Sequence, residues 1–93
     1  MKTNVAESSV AAYYEVAIKR LPAQQKRIAQ AMKGKGWLSR RQVAALTGIE
    51  TSTVSARINA MVAAGIVEES EQLARCPITN IHVKHIRETV SEQ

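Results

Sequence analysis

The feature that most constrains this chain is the spacing of its helix breakers. Pro22, the pair Gly34 and Gly36, then Gly48 and Gly65 divide the first two thirds into stretches only a few helical turns long. Helices that short are not stable alone in water, so each must bury an apolar face against its neighbours. The composition allows this. Ninety-three residues support one core and no second one, and 14 alanines favour helix at low side-chain entropy cost.

Each stretch carries its own pattern. Ser8 or Ser9 can cap a first helix over about residues 9–20, in which Val10, Tyr14, Ala17 and Leu21 share a face and Glu15 precedes Lys19 by one turn. Pro22 suits a first helical position and predicts a second helix over about 22–33, with Ile28 and Met32 inward. Trp37-Leu38-Ser39 has room for a brief extended segment, with Trp37 in the core or at its edge. Ser39 and Gln42 form a capping-box pair and open a third helix, with Val43 and Leu46 apolar and Gly48 as its stop. After a tight turn at Ile49 and Glu50, Thr51 or Ser52 caps a fourth helix through Ala64, with Val54, Ile58, Met61 and Val62 inward.

Beyond Gly65 the period changes to that of strands. Residues 66–70 and 81–86 are β-prone, and Pro77 and Asn80 place a loop between them over 71–80. The expected fold class is therefore mostly α with a small β-ribbon. Residues 1–8 read as a flexible arm, 9–86 as the domain and 87–93 as a frayed tail.

Charge narrows the function. Lys19, Arg20, Lys26, Arg27, Lys33, Lys35, Arg40 and Arg41 fall between Val16 and Ile49 with no acid among them. This stretch carries +8 of a net +5, which leaves −3 for the rest of the chain. A one-sided positive field suits a polyanion, nucleic acid before an anionic membrane; its structural counterpart is a solvated helical face. A single cysteine, Cys76, excludes an internal disulfide framework. With no signal peptide and no apolar run of membrane-spanning length, the chain reads as cytoplasmic.

Helix, brief strand, helix, tight turn, helix and ribbon, in that order, make a winged helix-turn-helix arrangement with an extra N-terminal helix. Its centre is the segment RRQVAALTGIETSTVSARINAMVAA over residues 40–64. Ala44 is small where two helices cross, Gly48 frees the turn, and Ile49 plugs the space beneath it. The run TSTVSARINAMVAAGIVEE resembles winged-helix bacterial regulators of the multiple-antibiotic-resistance and arsenic-repressor types. A closer resemblance, over nearly the whole chain, is to small winged-helix proteins of bacteriophages and prophages, carried by AAYYEVAIKRLPAQQKRIAQAM, the central helices and the loop ARCPITN. Such proteins often have Cys-Pro-x-Thr-Gly in the wing; here Asn80 replaces the glycine and can still support a left-handed turn. Arg57 stands where many such motifs have an apolar residue.

The resemblance implies DNA binding, and the expected function is that of a double-stranded DNA-binding protein, a phage or prophage transcriptional regulator. In that arrangement the second helix of the motif enters the major groove, while the preceding helix and the wing meet the backbone or the minor groove. With Val54, Ile58 and Met61 inward, Ser52, Thr53, Ala56, Asn59, Ala60 and Ala63 face outward. Asn59 suits an adenine edge, Ser52, Thr53 and Ser55 suit phosphates or bases, and Ala56 and Ala60 suit thymine methyls. Arg57 suits guanine or a phosphate. Arg40 and Arg41 are the strongest phosphate candidates, followed by Lys33, Lys35 and Arg75, so binding should be steeply salt-dependent with modest sequence discrimination.

Catalytic and metal chemistry find little support. Cys76, His82 and His85 number only three, and the odd separation of the two histidines puts them on opposite faces of a strand. Gly34-Lys35-Gly36 lacks the spacing and the following Ser or Thr of a phosphate loop, and the chain has no Asp. No enzyme activity, cofactor or metal is expected. Two other functions fit the same residues: an architectural factor in phage recombination or replication, and a protein-interaction adaptor using Leu73, Pro77 and Ile78. A homodimer through the first helix predicts a two-fold DNA site with half-sites about 10 base pairs, or a multiple of that, apart.

Overall fold

The computed structural model describes Val16 and residues 18–89. The arm over 1–8, most of the first helix with its Ser8 or Ser9 cap, Tyr13 and Tyr14, and residues 90–93 lie outside the described residues. Val16, Ile18 and Lys19 are helical, and Ile18 and Leu21 pack against the core. Three helices follow, α1 (Ala23–Met32), α2 (Arg40–Thr47) and α3 (Thr51–Ala63), and then two strands, β1 (Val67–Arg75) and β2 (His82–Glu88).

Local chemistry accounts for the helix ends. Pro22 is the N-cap of α1, one position earlier than expected, and its carbonyl accepts from Lys26 N–H at 2.8 Å. Ser39 caps α2 with the complete capping box: Gln42 N–H donates to Ser39 Oγ at 3.1 Å, and Ser39 N–H donates to Gln42 Oε1 at 2.9 Å. Gly48 ends α2 in the left-handed conformation, φ 76°, which an L side chain adopts only at a cost. Buried Thr47 tightens the same turn by donating to Val43 O at 2.9 Å while accepting from Ile49 N–H at 3.2 Å. α3 departs from expectation, because Glu50 occupies its N-cap without a side-chain cap and Thr51 is its first residue.

One core joins these elements. Ile28, Ala29 and Met32 of α1, Val43 and Ala44 of α2, Ile49 of the turn, and Val54, Ile58 and Met61 of α3 close on Leu38, Val67 and Ile86. Val62 lies only at its margin. Two apolar assignments fail. Leu46 is 51% exposed, because α2 turns Val43, Ala44 and buried Thr47 inward instead. Trp37 is 42% exposed and packs its ring under the Arg87 guanidinium, 4.4 Å from the ring centroid.

The ribbon is longer than its apolar pattern. β1 and β2 pair antiparallel from Val67 with Glu88 to Arg75 with His82, so much of the expected loop over 71–80 is strand. Arg87 and Glu88, expected in the frayed tail, are paired residues of β2, and Arg87 is ion-paired with Glu68. Backbone pairing is indifferent to side-chain polarity, which is why a hydrophobic pattern ends before the strand does. Leu38 adds a third, single-residue strand by exchanging hydrogen bonds with Ile86 at 2.9 and 2.8 Å. The β1 register shifts between Glu69 and Leu73, where Ser70 Oγ accepts from His85 N–H at 2.9 Å and donates to Gln72 O at 2.8 Å.

Candidate nucleic-acid interface

The packing of Val54, Ile58 and Met61 decides which side of α3 meets solvent. Ser52, Ala56, Arg57, Asn59, Ala60 and Ala63 are exposed, while Thr53 and Ser55 are half-buried at the margins. This face is smooth and carries little charge. Its cations come from the rim, and most of them are bonded across elements. Arg41 Nη1 donates to Thr51 Oγ1 at 3.1 Å, joining the start of α2 to the start of α3. Arg57 Nε donates to Gln24 Oε1 at 3.0 Å, joining α3 to α1.

Arg40 is held most firmly. Its Nη2 lies 3.0 Å from Glu69 Oε2 of β1 and donates to Asn59 Oδ1 of α3 at 2.8 Å. Arg40, Asn59 and Glu69 therefore form one linked group on the edge of the α3 face. Lys33 and Lys35 are exposed in the turn after α1, which is tied to the end of β2 because Gly34 N–H donates to Glu88 Oε2 at 2.8 Å. Arg75 is exposed at the far end of β1.

The far end of the hairpin also returns to the start of α2. A turn closed by Cys76 N–H to Ile81 O at 2.9 Å and Asn80 N–H to Cys76 O at 2.8 Å buries Cys76, with Asn80 left-handed at φ 63°. Cys76 Sγ lies 3.0 Å from Ser39 Oγ. Burial alone pushes the thiol up. Hydrogen bonds from Ser39, from the backbone and hydroxyl of Thr79 and from the backbone of Ile78 outweigh it and bring the thiol down to about 7. Ser39 Oγ accepts from Gln42 N–H, so its own hydrogen is available to the sulfur.

Cys76, His82 and His85 do not converge. His82 is exposed, whereas buried His85 has Nδ1 3.0 Å from Val83 O. Among the described residues no group of His, Cys and acidic side chains is placed to hold a metal ion. Nor is any described helix long and apolar enough to cross a membrane.

Three helices enclose one core, with the turn at Gly48 and Ile49 joining α2 to α3 and a hairpin beside them. Residues 23–68 fit the family model described as winged helix-turn-helix DNA-binding. The fold is a winged helix-turn-helix. The match covers α1, α2, α3 and the opening of β1, and it supports DNA as the partner in general terms. No curated protein and no solved structure matches the chain.

Within the winged helix-turn-helix, α2 and α3 are the paired helices of the motif and β1 with β2 is the wing. Glu69, Thr51 and Gln24 join the network around the candidate residues, and no spacing in the sequence points to them. Their partners are Arg40, Arg41 and Arg57, on other elements. No local spacing announces such contacts; an acid in a strand facing a helical arginine becomes visible only once the wing is folded.

Proposed function

We propose that this winged helix-turn-helix binds double-stranded DNA with α3 in the major groove and the wing on the backbone or minor groove, as a transcriptional regulator of phage or prophage origin. The observation that carries the DNA reading is the exposed α3 face. Asn59 and Ser52 supply hydrogen-bonding groups, Ala56 and Ala60 admit a groove edge closely, and Arg41 and Arg57 stand at the rim where phosphates would pass. The regulatory and phage parts rest on the wing-loop and helix resemblance described above.

The mechanism divides affinity from discrimination. Rim cations release counterions on meeting phosphates and supply most of the binding energy. The small α3 side chains limit how many base positions are read. Selection of bound fragments from random duplex DNA, followed by transcription in vitro from a promoter carrying the selected sequence, tests both parts. Enrichment of a short sequence and altered transcript yield are expected; absence of duplex binding at low salt overturns the proposal.

A further inference from the structure

We propose that Arg40 is a positioning residue for base readout rather than a phosphate contact: backed by Glu69, it holds the Asn59 amide in one orientation toward the groove. This rests on the DNA-binding reading of the α3 face. The geometry is specific to one nitrogen. Arg40 Nη2 carries two hydrogens, and its two partners are Glu69 Oε2 at 3.0 Å and Asn59 Oδ1 at 2.8 Å. Asn59 Oδ1 takes one of those hydrogens, and the Glu69 carboxylate beside the same nitrogen would repel a phosphate oxygen approaching it.

A guanidinium has five donors and no acceptor, so the end of the Asn59 amide that faces it must be the oxygen. An unrestrained asparagine amide turns through a broad, nearly two-fold torsion and can present either end to a base. Here the exposed Asn59 keeps one oxygen lone pair and both nitrogen hydrogens for a ligand, in a fixed order. Acceptor beside donor matches the N6 donor and N7 acceptor of adenine and mismatches guanine, which offers acceptors at both O6 and N7. Glu69 closes the arrangement by neutralising Arg40, whose side chain is only 20% exposed, and by anchoring it to β1. Glu69 of the wing thereby orients the reading residue without itself contacting a base.

The arrangement also accounts for an arginine in the first turn of α2, where the helix dipole disfavours a cation. Glu69 offsets that cost from across the element boundary.

The test uses the full chain, the duplex selected from random DNA, and its single-base variants, read by fluorescence anisotropy over a salt series. Asn59→Ala identifies the base position read by Asn59. At that position Arg40→Ala, Arg40→Lys and Glu69→Gln should each lose discrimination, by roughly tenfold for Arg40→Ala. Arg40→Ala combined with Asn59→Ala should be no worse there than Asn59→Ala alone. Arg40→Ala should leave the salt slope within error of the unmodified protein, while Glu69→Gln frees a cation and should strengthen binding to unrelated duplexes. Circular dichroism melts restrict the comparison to folded variants, and Arg40→Lys keeps the charge if Arg40→Ala fails to fold. If the Arg40 variants weaken all duplexes alike, lower the slope by about one and leave the Asn59 position intact, Arg40 is a phosphate contact and the proposal is overturned. Binding without any base preference also overturns it while leaving the DNA reading standing; no duplex binding by the unmodified chain removes the DNA reading itself.

Discussion

Replacing Arg41 by Ala tests how this domain gains its affinity. Lys35, Arg41, Arg57 and Arg75 are exposed cations not paired with a carboxylate among the described residues, whereas Arg40 is committed to Glu69. If these four meet phosphates, the logarithm of affinity should fall with the logarithm of salt at a slope of about −3.6, taking about −0.9 for each phosphate neutralised. A fourfold rise in salt, from about 50 to about 200 mM, should then weaken binding roughly 150-fold. Arg41→Ala should reduce the slope to about −2.7 and the salt-induced loss to roughly fortyfold, equally for every duplex sequence. The assay is anisotropy of a labelled random-sequence duplex titrated with the full chain at several salt concentrations. A slope shallower than about −1 for the unmodified protein, or no change of slope in Arg41→Ala, refutes the electrostatic account.

The remaining predictions concern the scaffold. Ile58 is wholly buried at the centre of α3, so Ile58→Ala should cost about 2–5 kcal/mol in a denaturant titration, a large share of a small domain's stability. Ser39→Ala removes the capping box and a donor to Cys76; about 1 kcal/mol should be lost, and the thiol should titrate at higher pH in the variant. In the unaltered protein, absorbance of the thiolate should rise with a midpoint of about 7. The folded thiol is depressed relative to the unfolded one, so its contribution to stability should be complete above the ordinary thiol range and vanish as pH falls through about 7; a midpoint in the ordinary thiol range would refute the Cys76 hydrogen-bond arrangement.

The helical half of this protein was legible in the sequence because its determinants are local. A proline, a serine three residues before a glutamine, and glycines at 48 and 65 act on the backbone beside them, and Val54, Ile58 and Met61 repeat at helical spacing. From these the positions of α1, α2 and α3 follow to within a residue or two, together with the outward side of α3. Tertiary structure decided what local pattern cannot carry. Leu46 went to solvent because Thr47, bonded to the turn, took the inward place, and Trp37 found Arg87 rather than the core. The strands outran their apolar stretches because backbone pairing, not side-chain hydrophobicity, extends a ladder. The same holds at the candidate interface: the sequence marked Arg40 as a cation in the right place, but only folding brought Glu69 and Asn59 to the same nitrogen. Charge is a property of a residue, whereas the direction of a hydrogen bond belongs to the elements that hold its two ends.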